Sequence, residues 1–96
     1  MRPSEALAKH RVEVLDIIAK YPVSNPCLFG SVARGEDVEG SDIDILVEGQ
    51  DSLSLMHLSR LEIELERALD VPVGIHTTGE FRGAARKRVQ MDLKAL

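Results

Sequence analysis

Ninety-six residues with 12 Lys and Arg against 16 Asp and Glu, a net charge of −4, suit one domain with a modest core and little room for a separate substrate domain. The acidic balance argues against nucleic acid as a principal partner, and one Tyr, two Phe and no Trp argue against stacking platforms for single strands. A lone Cys27 cannot close an internal disulfide, and the lack of a signal-like leader or long apolar run points to a cytoplasmic chain with no membrane span.

In chain order, Pro3-Ser4-Glu5 opens a helix whose apolar positions Leu7, Val14, Leu15 and Ile18 recur at helical spacing, and Tyr21-Pro22 stops it. Cys27 to Gly30 reads as a short buried strand, which makes Cys27 a buried structural thiol rather than a nucleophile. Residues 31–41 form a loop with one helical turn, and Glu36, Asp37 and Glu39 in it read as a solvated acidic rim. Asp42 to Glu48 is the second strand, broken by Gly49-Gln50-Asp51. Ser52 or Ser54 caps the next helix, whose apolar face is Leu58, Leu61, Leu65 and Leu69. Val71 to Thr77 is the third strand, and after Thr78-Gly79 a last helix runs from about Phe81 to the terminus. With no repeat or linker, this order specifies one α/β domain over residues 1–96, with helices packed on one small sheet.

Two motifs carry chemistry. Gly30-Ser31 can make a tight turn whose backbone N–H groups approach phosphate oxygens closely, with the serine hydroxyl as a further donor. After ten intervening residues come Asp42-Ile43-Asp44. Strand alternation puts both carboxylates on one face and Ile43 and Ile45 on the other. Two such carboxylates repel unless a cation lies between them, and oxygen ligands of this kind suit Mg²⁺. Turn and carboxylate pair together can hold the two ends of a metal–triphosphate. Gly30-x-x-x-x-Gly35 looks like half of a P-loop, but Glu36-Asp37 follows where Lys-Ser/Thr is needed, so that reading fails.

The run Leu28-Phe29-Gly30-Ser31-Val32-Ala33-Arg34-Gly35-Glu36, followed by Ser41-Asp42-Ile43-Asp44-Ile45-Leu46-Val47, resembles the minimal nucleotidyltransferases of the DNA polymerase beta superfamily. The resemblance spans nearly the whole chain. It implies the small nucleotidyltransferase fold, an α/β domain with a short mixed sheet, binding ATP or another nucleoside triphosphate with two Mg²⁺ ions. It implies transfer of a nucleotidyl group to a hydroxyl, with Asp42 and Asp44 as catalytic metal ligands and Gly30 and Ser31 on the terminal phosphates. Many domains of this kind act as antitoxins to a small helical ribonuclease-type toxin called HEPN, which becomes the expected protein partner. A homo-oligomer stays open. One position departs from the pattern. Such domains usually carry a third carboxylate in the strand after the second long helix, and here Gly74 of Val71-Pro72-Val73-Gly74-Ile75-His76 stands there.

Other residues allow two readings each. Arg34, one turn beyond Ser31, either reaches a phosphate or is a solvated surface arginine. His76 shares a face with Gly74, and either meets a proton or a phosphate there or is a half-exposed strand-end histidine. His10, His57 and His76 lack zinc-like spacing. The last helix carries Arg82, Arg86, Lys87, Arg88 and Lys94 opposite Phe81, Ala85, Val89, Leu93 and Leu96, a solvated basic face or a docking face for an acidic partner. Two functions remain: an Mg²⁺-dependent nucleotidyltransferase, or a catalytically impaired nucleotide-binding protein that neutralises a partner toxin by binding it.

Overall fold

Apolar alternation in Ile43-Asp44-Ile45-Leu46-Val47 dictates a strand with two unlike faces, and the computed structural model, which describes residues 1–96, builds its sheet around that strand. In order come α1 (Pro3–Lys9), α2 (Arg11–Ile18), β1 (Val23–Phe29), α3 (Gly30–Arg34), β2 (Ile43–Gly49), α4 (Leu55–Leu69) and β3 (Val73–Thr77). A 3-10 turn (Thr78–Glu80), α5 (Gly83–Asp92) and β4 (Lys94–Ala95) complete the chain. The sheet runs β3-β2-β1-β4, with β2 and β3 parallel and the other pairs antiparallel, the mixed α/β sheet that was expected.

Ile43, Ile45 and Val47 are wholly buried on one face of β2, where they meet Leu61 and Leu65 of α4 and Val14 and Ile18 of α2 in one 16-residue core. Ser54 caps α4, its hydroxyl accepting the His57 N–H at 3.3 Å. Helix α4 also protects the sheet edge. Glu62 accepts the Ile75 N–H at 2.8 Å and Glu66 the Val73 N–H at 3.3 Å, so the outer donors of β3 are not left bare. The opposite face carries a smaller cluster, Phe29, Leu46 and Val89, with Phe81 against it.

Several boundaries move. The first helix is two helices: the chain bends at His10, whose imidazole lies 3.3 Å from Glu13 in the first turn of α2. Neither Pro nor Gly marks that bend. Strand β1 begins at Val23, not Cys27, because Ser24 pairs with Glu48 before a bulge at Asn25-Pro26, where Asn25 takes φ 50°. Cys27 is half-buried rather than buried. The last helix stops at Asp92, and Lys94-Ala95 turn into a strand on the free edge of β1, paired with Leu28 and Cys27.

Asp37 departs from the solvated acidic rim, whereas Glu36 and Glu39 are exposed as expected. The Asp37 side chain is 3% exposed, and its Oδ2 accepts the Ser4 N–H of α1 at 2.8 Å, satisfying a donor that the first turn leaves without a partner. Burial pushes this carboxyl up, but the hydrogen bonds from Ser4 and the nearby Arg2 charge outweigh it and hold it below the ordinary 3.8. A carboxylate depressed in the fold stabilises it above the unfolded pKa, and that contribution fades as pH falls through the folded value. Urea unfolding should therefore show wild type losing stability between pH 6 and pH 3. Asp37→Ala should be less stable at pH 6 by about 1 kcal/mol, a typical cap loss, and should lose less on acidification.

Candidate active site

Strand pairing assembles the site from segments that are separate in sequence. Phe29 at the end of β1 lies opposite Asp44 of β2, and Asp44 lies beside Gly74 of β3. Gly30 follows Phe29 with φ +76°, and a Cβ built there would stand 2.7 Å from Asp44 Oδ2. Only glycine satisfies both the left-handed backbone and that approach. The turn and the second carboxylate are thus brought together, as the spacing predicted. Ser31 is half-buried in the first turn of α3, and Arg34 lies one turn further along.

The two carboxylates are unequal. Asp42 is exposed and sits one residue before β2, not within it, whereas Asp44 is half-buried on the face opposite the main core. Burial pushes the Asp44 carboxyl above its ordinary range; the Asp42 charge adds to this, and His76 opposes it. No three His, Cys, Asp or Glu side chains close around one point. Asp42 and Asp44 supply only carboxylate oxygens, so a divalent cation held by them would need further oxygens from a ligand. Withdrawal from water and mutual repulsion are the strains that such a cation relieves at Asp44.

The space beside Gly74, where the resemblance places a third carboxylate, is not open. A Cβ at Gly74 would meet His76 Nε2 at 3.0 Å and Asp44 Oδ1 at 3.3 Å, so the imidazole occupies that space. His76 is half-exposed as expected, yet it has partners on both sides: Glu80 Oε2 lies 3.0 Å from Nδ1 and Asp44 Oδ1 3.6 Å from Nε2. Edge-on contact with Phe29, centroids 5.3 Å apart, fixes the ring further. The Glu80 contact was missed, although the four-residue spacing from His76 was there to be read. Arg34 is an exposed surface arginine, as one of its two readings had it, but it is not unpaired. Its guanidinium pairs with Asp92 of α5 at 2.6 Å and with Glu36 at 3.5 Å.

The largest surface cleft, about 590 Å³, lies at the α1–α2 bend between Ala8 and Lys20 and contains none of these residues. A smaller one of about 110 Å³ lies under α5, between Leu46 and Arg86. The basic residues Arg82, Arg86, Lys87, Arg88 and Lys94 are all exposed. No helix is long and apolar enough to cross a membrane.

A Gly-Ser turn thus closes onto a strand carboxylate in a four-stranded mixed sheet. Residues 11–96 match the Nucleotidyltransferase domain family, and the chain belongs to that family. It is 37% identical over 90 residues to a Methanocaldococcus jannaschii protein named provisionally as a protein adenylyltransferase, covering 93% of this chain and 89% of that one. A solved structure described provisionally as a minimal nucleotidyltransferase superposes with TM-score 0.84 at 34% identity, covering 97% of this chain and 95% of that one. A chain in a crystal structure of a toxin–antitoxin complex with AMP-PNP superposes with TM-score 0.71 at 27% identity, covering 91% and 69% respectively. The α/β fold is thus the minimal nucleotidyltransferase fold, and the family generally works with divalent metal ions.

An acid whose pKa is raised by the fold weakens the fold once it is ionised. Asp44→Asn, which keeps the shape against Gly30, should therefore raise the melting temperature of the ligand-free chain at pH 7. The same change should abolish metal-dependent nucleotide binding. Calorimetry and titration with ATP check the two halves.

Proposed function

We propose that this domain transfers an adenylyl group from ATP, with Mg²⁺, to a hydroxyl of a protein partner, and that the partner is a HEPN-type toxin for which the domain is the antitoxin. The observation that carries the reading is the approach of Gly30 to Asp44, which sets the phosphate turn directly against a carboxylate that can take a metal. Family membership and likeness to a chain from a nucleotide-bound toxin–antitoxin complex support the same reading.

Asp42 and Asp44 hold the cations, two of them with the bound nucleotide. Bound there, the metal offsets charge on the triphosphate and on the departing pyrophosphate. The backbone turn at Gly30 and the Ser31 hydroxyl grip the terminal phosphates, and Arg34 exchanges its carboxylate partners for phosphate oxygens. The acceptor hydroxyl oxygen bonds the α-phosphorus as the α–β phosphoanhydride bond breaks, pyrophosphate leaves, and the hydroxyl proton passes to water. Positioning and charge do most of the work in such a reaction, so a site without a third acid keeps the main sources of rate.

The second reading is neutralisation by binding alone, and Gly74, where no carboxylate stands, favours it. Labelled ATP, Mg²⁺, the purified chain and a HEPN partner decide between the two. Label should pass to the partner, and Asp42→Asn or Asp44→Asn should slow single-turnover transfer by about 10²-fold or more. A double mutant that leaves the partner unlabelled yet still neutralises it selects binding.

A further inference from the structure

Glu80, His76 and Asp44 form a run of contacts to which nucleotidyl transfer as described gives no task. Glu80 is fixed first, its Oε1 accepting the Thr77 N–H at 3.1 Å. Its Oε2 lies 3.0 Å from His76 Nδ1. An ionised carboxylate can only accept, so this bond places a proton on Nδ1 and turns Nε2 toward Asp44. Phe29 and Phe81, with centroids 5.3 and 5.6 Å from the imidazole, keep the ring from swinging away. Nε2 then stands 3.6 Å from Asp44 Oδ1, beyond hydrogen-bonding distance. Two donors on one ion with bonds of ~2.1 Å stand roughly 3 Å apart when adjacent and roughly 4 Å when opposite. The observed spacing matches neither, so binding one ion would need the ring or the carboxylate to shift by about half an ångström. A carboxylate behind an imidazole whose free nitrogen faces a second carboxylate is the order of groups found at carboxylate–histidine–metal centres. The missing side chain at Gly74 admits the ring, since a Cβ there would stand 3.0 Å from Nε2.

We propose that Asp44 and His76 share one divalent cation, and that the nitrogen in this pair selects a first-row transition-metal ion over Mg²⁺. The proposal rests on the reading of Asp44 as a metal ligand. Mg²⁺ demands oxygen donors in near-octahedral array and sheds water reluctantly, whereas transition ions accept imidazole. Asp42 and the triphosphate stay an all-oxygen environment, so the preference belongs to the Asp44–His76 position. Glu80 is a positioning residue, acting only through the ring.

The test uses the full chain, Mn²⁺ as probe and inorganic tripolyphosphate as the phosphate ligand, which has no nitrogen of its own. Pulsed electron paramagnetic resonance of bound Mn²⁺ should show coupling to an imidazole nitrogen in wild type and none in His76→Gln. Competition titration should show the preference for Mn²⁺ over Mg²⁺ falling about tenfold in His76→Gln. Glu80→Gln retains the ring without its orienting carboxylate, and should weaken Mn²⁺ binding while Mg²⁺ binding holds. It serves as the metal test if His76→Gln does not fold. Bound Mn²⁺ with no nitrogen coupling, or an unchanged preference in the folded variants, overturns the shared site and leaves the transfer reading intact. Wild type that binds no Mn²⁺ beside tripolyphosphate overturns Asp44 as a metal ligand, and this proposal with it.

Discussion

The pairing of Phe29 with Asp44 is the constraint on which the rest depends. Side chains alternate along a strand, so a slip of one residue between β1 and β2 would turn Asp44 into the layer of Leu61 and Leu65 and expose Ile43 and Ile45. The apolar set on β2 forbids that slip, since three wholly buried residues would lose their cover. Once this register is fixed, Gly30 must follow Phe29 at the Asp44 carboxylate, where any Cβ would collide. The parallel pairing with β3 then lays Gly74 beside Asp44 and His76 beside Leu46. Hydrophobic patterning thus determines which polar atoms meet.

The two faces of the sheet divide the labour. A core of 16 residues lies on the face covered by α2 and α4, while the other face holds three buried residues and its partly buried neighbours. Most of the burial energy is therefore gained away from the carboxylates. Asp44 can stay partly desolvated and repelled by Asp42 because the fold does not rely on its face for cohesion. Sites of this kind commonly give up some stability for function.

What was legible in the sequence was local. Alternation in β2, the Leu61-Leu65-Leu69 stripe of α4, the Ser54 cap and the Gly30 turn are each written within a few neighbouring residues. The features that escaped depend on distant partners. Asp37 looks like one acid among Glu36 and Glu39, and only Ser4, 33 residues away, sets it apart. Lys94-Ala95 has no strand pattern of its own; its conformation comes from the open edge of β1 at Cys27 and Leu28. The ring in the Gly74 gap was hidden for another reason. Alternation put His76 on the correct face, but which way an imidazole leans depends on Glu80 and Phe81, which come later in the chain.

Arg34 shows how a structure can obscure a role that a sequence suggests. Its pair with Asp92 is short, at 2.6 Å, and could be taken to commit the guanidinium to α5. The Arg34 side chain is 43% exposed, however, so water competes for the guanidinium even though Asp92 is only 19% exposed. Phosphate oxygens offer the same fork-shaped guanidinium a more highly charged partner, in the two-bonded geometry that arginine favours. The pair links α5 to α3 in the free protein, and under the proposed function a triphosphate would compete with Asp92 for the guanidinium.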